Sequence, residues 1–311
     1  MINYLFCLDS NYNNQFLTSL YSIDKNSKKD FNVYVIHKDP ETLNTLLKKY
    51  KNLFTNLNNI EIHKFDSNYD SFPNLQNNHI SEATYYRFFI GDYIDPKVDF
   101  LVYLDCDVLC LNNPEQILEQ EIIKLKNSSV TISASTEYLK TKETEEVFNR
   151  LMLKSNSYFN AGVMIINYDL WVKNNCKDSL LNATELLYEK VNFWDQDILN
   201  FVFDEKYNVM SNNLNFPAEI NNKEFTRDLR SVIFLHYSGS NKPWTVLGAM
   251  NSLSKDFHYN YSLVFGEKYM IRSNYKKGAI KDLILNVINL KVFALNYPLE
   301  FIKLTIRSVL S

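Results

Sequence analysis

Apolar positions in the first part of the chain come in two patterns, short unbroken runs and a spacing of three to four residues. Residues 2–8 (INYLFCL) and 31–37 (FNVYVIH) are compact apolar runs rich in β-branched and aromatic side chains, which predicts strands. Between them Phe16, Leu17, Leu20 and Ile23 recur at helical spacing. A second helix is expected from Pro40 to about Leu53, and a third strand over 60–65. This β-α-β-α-β opening predicts an α/β fold with a mixed, mainly parallel sheet and helices on both faces.

The pattern continues downstream. Residues 81–94 (SEATYYRFFIGDYI) predict a helix with Ser81 as N-cap and Glu82 near the positive end of its dipole. Residues 100–104 (FLVYL) predict a strand buried on both faces, which runs into Asp105-Cys106-Asp107. Further strands are expected over 130–134, 163–167 and 232–235, with a helix near 143–154. Residues 193–200 (FWDQDILN) read as a polar turn opening an apolar helix.

Three strand ends carry the candidate chemistry. In an extended chain side chains alternate, so Asp105 and Asp107 are expected on one side and Cys106 on the other, at the carboxyl end of a strand where α/β folds collect ligands. A D-x-D triplet arises on the order of once by chance in a chain of this length, and Asp195-Gln196-Asp197 is a second one. After the first strand, Asp9 and Asn11 can pair with the edge of a base and Tyr12 can stack on its face, but the same turn can simply start a helix. Arg87 sits among aromatic neighbours, where its fork suits phosphate or carboxylate and its stem also suits an apolar face. His236 ends a strand and is followed by Gly239 and Lys242, a glycine that admits close backbone approach and a cation for phosphate.

Composition narrows the class. At 311 residues and 46% hydrophobic, the chain can bury a large core. A net charge of -3 argues against generic nucleic-acid binding. None of the six glycines builds a dinucleotide fingerprint or a P-loop. The four cysteines lack C-x-x-C spacing, which argues against structural zinc and disulfides. No basic leader precedes the first apolar run and no 18-residue apolar span occurs, so a cytoplasmic protein without a membrane-spanning helix is expected.

Six blocks in series carry a resemblance: residues 6–12 (FCLDSNY), 79–94 (HISEATYYRFFIGDYI), 102–109 (VYLDCDVL), 158–167 (YFNAGVMIIN), 195–200 (DQDILN) and 236–244 (HYSGSNKPW). Over about residues 1–250 the chain resembles the bacterial branch of glycosyltransferase family eight, the lipopolysaccharide and lipooligosaccharide galactosyl- and glucosyltransferases, and more distantly glycogenin. The resemblance implies a nucleotide-sugar-binding, Rossmann-like domain of the glycosyltransferase A type. It implies retaining transfer of galactose or glucose from a UDP-sugar to a saccharide acceptor, which is lipid-linked, part of lipopolysaccharide, or a glycoprotein glycan. Asp105, Asp107 and His236 are then the ligands of Mn2+, with Mg2+ as a substitute. Cys7, Leu8, Asp9, Asn11 and Tyr12 are expected around uridine, and Gly239 and Lys242 against the diphosphate. Arg87, Asn160, Asp195 and Gln196 are expected around the transferred sugar, with Asp105 and Cys106 completing the donor contacts and Gln196, Asp195 and Asp105 as the catalytic set. One departure is that Ser10 follows Asp9 where many relatives carry a second acidic residue, and Cys7-Leu8 precede it in place of small residues.

Two other classes share features of this sequence. A non-catalytic nucleotide-sugar-binding module or partner subunit could carry the same fold. A phosphatase of the haloacid-dehalogenase type also uses a strand-end D-x-D, but its motif continues into small residues and Thr rather than Val108-Leu109.

The carboxyl-terminal stretch differs from the rest. From Lys268 onward there are eight basic and two acidic residues, so this stretch carries +6 and the remainder -9. The basic residues alternate with Ile280, Leu283, Ile284, Val287, Ile288 and Phe293, while Asp282, Asn286, Asn289 and Asn296 share a narrow polar stripe. The expected organisation is a catalytic domain over 1–266 and a basic amphipathic tail over 267–311. That tail is expected to find an apolar partner, either an anionic membrane surface at the inner face of the cell membrane, the catalytic domain, or a second subunit.

Overall fold

The computed structural model describes residues 1–69, 71–73, 81–137, 141–218, 229–272 and 276–310. His79 and Ile80 of the second block, and Tyr275 of the tail, lie outside the described residues. Among the described residues a seven-stranded sheet is formed by β1 (Ile2–Leu8), β2 (Phe31–His37), β3 (Leu57–Lys64), β4 (Phe100–Leu104), β6 (Ile132–Thr136), β7 (Phe159–Asn167) and β8 (Tyr207–Val209), in the order β3-β2-β1-β4-β7-β6-β8. A small second sheet contains β5 (Val108–Cys110), β10 (Phe234–His236) and β9 (Phe216–Pro217). The opening β-α-β-α-β unit and the mainly parallel sheet are as the sequence predicts. Among the described residues of the seven-stranded sheet, β7 alone runs against its neighbours, antiparallel to both β4 and β6.

Period-two alternation explains why the central strands read as unbroken apolar runs. Leu5, Cys7, Leu101 and Tyr103 enter the core on one face, while Tyr4, Phe6, Leu8, Val102 and Leu104 enter the core on the other. Helices Asn13–Asn26 and Glu115–Lys126 cover the second face. The first is covered by the segment Glu82–Asp92 and helices Cys176–Leu186 and Trp194–Val202. All four cysteines are free and buried.

One segment differs from its expected form. Residues Glu82–Asp92 make a 3-10 helix of eleven residues, capped by the Ser81 hydroxyl, which accepts from the Ala83 N–H at 3.1 Å. Such runs seldom exceed three or four residues. This one is buried on both sides: Tyr86 stacks on Phe65 at 3.7 Å and Tyr85 on Phe72 at 4.7 Å, so aromatic packing rather than an amphipathic stripe fixes its winding. The tail packs through Tyr269, Ala279, Leu283, Val292 and Phe301 onto Val246 and Ala249, within residues 1–266, which is one of the three kinds of partner expected for it. Asn286, assigned to a polar stripe, is buried and donates to the Asp282 carbonyl at 2.7 Å, while Ile284 and Ile288 on the other side are exposed.

His258 holds this junction together. Its Nε2–H donates to the Pro243 carbonyl at 3.0 Å and its Nδ1 accepts from the Met270 N–H at 3.4 Å, two bonds that only a neutral ring makes at once. Burial pushes the imidazole down to about 4, partly opposed by the Pro243 carbonyl. Because this value lies below that of the unfolded chain, near 6.5, the native state is fully favoured above about pH 6.5 and loses about 3 kcal/mol as pH falls through the window to 4. Urea titrations across this window should show that fall, and His258→Gln should flatten it; equal pH slopes for both proteins would refute the assignment.

Candidate active site

The crevice opens where β1 and β4 lie side by side with their onward connections diverging, the position at which parallel α/β sheets bind ligands. Because β7 is antiparallel, its first residues extend past the carboxyl end of β4, and the Asp105 N–H donates to the Gly162 carbonyl at 2.8 Å. Asp105-Cys106-Asp107 is not an extended strand end. The chain turns there, with the Val108 N–H donating to the Asp105 carbonyl at 3.1 Å, and passes from the large sheet into β5 of the small one. The convergence of Asp105 and Asp107 therefore comes from a turn and not from strand alternation.

Strand β10 adds His236. Ligand atoms of Asp105, Asp107 and His236 lie within 4.8 Å of one another. Asp107 is buried, its Oδ1 accepts no hydrogen bond, and this oxygen faces His236 Nε2 at 3.3 Å. Two carboxylates, an imidazole and one unsatisfied buried oxygen suit a divalent cation. Burial alone raises the Asp107 carboxyl, but Lys242 and His236 outweigh it and hold the group below the usual carboxylate range. Lys242 is bonded to the other oxygen of Asp107 and to the Tyr237 carbonyl at 2.8 Å. Gly239, at φ 82°, lets the loop double back to bring the ammonium there.

The opposite wall is built on Arg87. Its guanidinium is buried, lies 2.8 Å from Asp105 Oδ1 and 3.0 Å from Asp195 Oδ2, and covers the Tyr103 ring at 3.8 Å. Tyr103 also donates to Asp105 at 2.6 Å. Burial lifts the Asp195 carboxyl to about 6 against the pull of Arg87 and the Thr84 hydroxyl. Asp197 belongs to the scaffold. It accepts from Asn192 N–H, Phe193 N–H, Tyr158 Oη and Arg150 Nη1 at 2.6 to 2.9 Å, and so anchors the turn in which Trp194 takes a left-handed φ of 47° immediately before Asp195. Gln196 faces the cleft with its Oε1 accepting from the Ala161 N–H at 3.0 Å.

These residues line one cleft of about 560 Å3, together with Cys7, Leu8, Tyr12, Cys106, Asn160 and Gly239. Asp9 and Asn11 do not line it. The Asp9 carboxylate caps the turn by accepting from the Asn11 N–H at 2.8 Å, and Asn11 is exposed. Tyr12 lines the cleft edge-on to Trp244, with ring centroids 6.2 Å apart. Sequence reading missed Thr84, Tyr103, Glu137 and Gly162 as parts of the wall. Gly162 did carry a signal, since a glycine inside a strand often marks close approach of another group.

In fold the chain is that of a glycosyltransferase: it superposes on a galactosyltransferase, LgtC, solved with donor and acceptor sugar analogs, with a TM-score of 0.68 over 85% of this chain and 96% of that one at 23% identity. GlyE of Streptococcus pneumoniae matches with a TM-score of 0.61 over 86% of this chain and 63% of that one at 18% identity. The family model of Glycosyl transferase family 8 matches residues 3–248, and the chain belongs to that family. Among its relatives are the lipopolysaccharide 1,2-glucosyltransferase of Escherichia coli, 28% identical over 76% of this chain and 71% of that protein, and the lipopolysaccharide 1,3-galactosyltransferase of Salmonella typhimurium, 27% identical over 58% and 53%.

A β carbon at Gly162 would collide with the His236 imidazole, whereas one at Gly91 meets nothing nearer than Val172 Cγ2 at 3.9 Å. Gly162→Ala is therefore expected to destabilise the protein by about 1–3 kcal/mol through overpacking, with Gly91→Ala near the parent in urea denaturation. Equal midpoints for the two variants would show that His236 does not need that space.

Proposed function

We propose that this glycosyltransferase is a retaining, Mn2+-dependent enzyme that moves galactose or glucose from a UDP-sugar to a hydroxyl of a cell-surface saccharide. The observation that carries the reading is the Asp105–Asp107–His236 cluster in a cleft that Arg87, Asp195 and Gln196 also line. Five carboxylates line this cleft (Asp105, Asp107, Glu137, Glu143 and Asp195) against Arg87 and Lys242, a charge balance that repels a diphosphate unless a cation is bound. A divalent cation there supplies positive charge to the departing diphosphate, and an imidazole among the ligands favours a transition metal over Mg2+.

The side chains have separable roles in this reading. Tyr12 offers a ring to the base, and Lys242 is close enough to turn from Asp107 to a phosphate. Asp195 and Gln196 face the sugar. A neutral carboxamide is a poor nucleophile, and Gln196 already uses its oxygen on the Ala161 N–H. Retention then follows from attack by the acceptor oxygen on the face that UDP leaves. The new bond to the anomeric carbon forms as the bond to the diphosphate oxygen breaks, and the hydroxyl proton passes to that oxygen. The names of the Escherichia coli and Salmonella relatives support an acceptor of the lipopolysaccharide type.

The tail supports placement at a membrane. No helix among the described residues is long and apolar enough to cross one. Yet Ile288, Leu290, Leu299 and Leu310 are 69 to 80% exposed, interleaved with Lys277, Lys281, Lys291, Lys303 and Arg307. Apolar side chains with basic neighbours fit an anionic lipid surface, to which each cation adds about 1 kcal/mol.

Two measurements test these statements. With Mn2+, one of UDP-galactose and UDP-glucose should release UDP on a saccharide acceptor, and Asp107→Asn should abolish release at limiting Mn2+ while folding is retained. Full activity of that variant, or release of inorganic phosphate without UDP, rejects the enzymatic reading. The full chain should co-sediment with anionic but not neutral vesicles at low salt, and replacing Lys277, Lys281, Lys291 and Lys303 by Gln should release it. A protein that stays in the supernatant with both vesicles has no such surface.

A further inference from the structure

We propose that Glu137 is a positioning residue that, through Asn160 and Asn215, fixes which ring nitrogen of His236 faces the Asp105–Asp107 pair, and that the same carboxylate orients Gln196. The inference rests on reading Asp105, Asp107 and His236 as a cation site.

The argument starts from a carboxylate, which only accepts hydrogen bonds. Glu137 Oε2 lies 2.5 Å from Asn160 Nδ2 and 3.4 Å from Gln196 Nε2. Turning either amide round would press a carbonyl oxygen against that carboxylate. Asn160 therefore keeps Oδ1 on its far side, where it accepts from the Gly162 N–H and from Asn215 Nδ2, both at 2.9 Å. The Gly162 N–H favours the same orientation as a neutral donor, but the charge-assisted bond to Glu137 is about twice as strong and decides it. Asn215, having spent its amino group, presents Oδ1 to His236 Nδ1 at 2.9 Å. An amide oxygen faces a proton, so Nδ1 carries one, and in the neutral ring the Nε2 lone pair points at Asp107.

Burial makes this relay consequential. Asn160, Asn215 and His236 are each at most 9% exposed, so water does not stand in for a lost partner. With the proton on Nδ1, Nε2 and the unsatisfied Asp107 Oδ1 face each other as two acceptors across 3.3 Å, an arrangement that calls for a cation between the three ligands. Metal-bound histidines are commonly oriented in this way by the group on their other nitrogen. Here the orienting group is an amide, and its own orientation is set two residues away by Glu137.

Glu137→Gln tests this, because a side-chain amide can donate or accept and so permits the relay to reverse. In metal-free protein with 15N-labelled imidazoles, His236 assigned by its loss in His236→Asn, the parent should show Nδ1 protonated, and Glu137→Gln should show Nε2–H appearing. Titration with Mn2+ alone should give an affinity about 10-fold weaker for the variant at an unchanged melting temperature. Asn215→Leu should weaken Mn2+ binding similarly, and Asn215→Asp, which still accepts from Nδ1–H, should keep it. The proposal is overturned if the parent carries its proton on Nε2, if Glu137→Gln leaves both spectrum and affinity within twofold of the parent, or if Asn215→Leu and Asn215→Asp behave alike. A parent that binds no Mn2+ refutes the cation reading, and the metal-free spectrum still decides the relay.

Discussion

Arg87 carries one buried positive charge shared between Asp105 at 2.8 Å and Asp195 at 3.0 Å, two carboxylates separated by ninety positions in the chain. Buried charge of this kind is tolerated only when fully partnered, and removing one member strands the others at a cost of about 3–5 kcal/mol. The guanidinium is partnered on every side: Tyr103 lies under it, and the Thr84 and Ala161 carbonyls accept from Nε and Nη1. The end of β4, the 3-10 segment, the start of β7 and the turn before helix Trp194–Val202 are thus tied to one another through a single side chain. A shift of any of these elements would misplace a charge as well as a contact.

This arrangement depends on the one reversed strand. Were β7 parallel to β4, its first residues would lie at the far end of the sheet, and the cleft would lose Asn160, the Ala161 backbone and Gly162. Running the other way, β7 carries these groups past the last residue of β4, where the Asp105 N–H can reach the Gly162 carbonyl. The glycine then leaves room for the imidazole from β10, a strand of the other sheet. Two sheets meet at the Asp105-Cys106-Asp107 turn because the chain crosses between them there, and His236 arrives as the partner of Val108 across the small sheet.

What was legible in the sequence follows from how local each signal is. Strands β1, β2 and β4 were readable from their apolar runs because burial on both faces leaves few polar positions, Asn3 in β1, Asn32 and His37 in β2 and none in β4, to break the pattern. The 3-10 winding of Glu82–Asp92 was not readable, since it is set by Phe65 and Phe72, which pack against it from earlier in the chain. Asp105, Asp107 and His236 were found as candidates by their residue types at strand ends, yet the turn that brings the two aspartates together reads no differently from two more strand residues. Glu137 and Asn215 left no trace, because each acts from a separate connection and no spacing relates them. The apolar and basic composition of the tail was visible. That Leu283 packs inward while Ile284 and Ile288 face outward depends on which surface the helix meets.

Asp107 resolves a conflict that the site would otherwise carry. Under the proposed function Asp107 would hold a cation and Lys242 would meet a diphosphate, and a lysine bonded to a carboxylate competes with a cation for it. The two oxygens divide the work: Oδ2 takes Lys242, and Oδ1 faces His236 without any hydrogen bond. Lys242 is held by the Tyr237 carbonyl as well, so it keeps a partner when it leaves Asp107. Under the proposed function Oδ1 would be the oxygen that holds a cation, since it has no hydrogen bond to give up. With the charge of Asp107 met from that side, the Lys242 ammonium would be free to turn to a diphosphate.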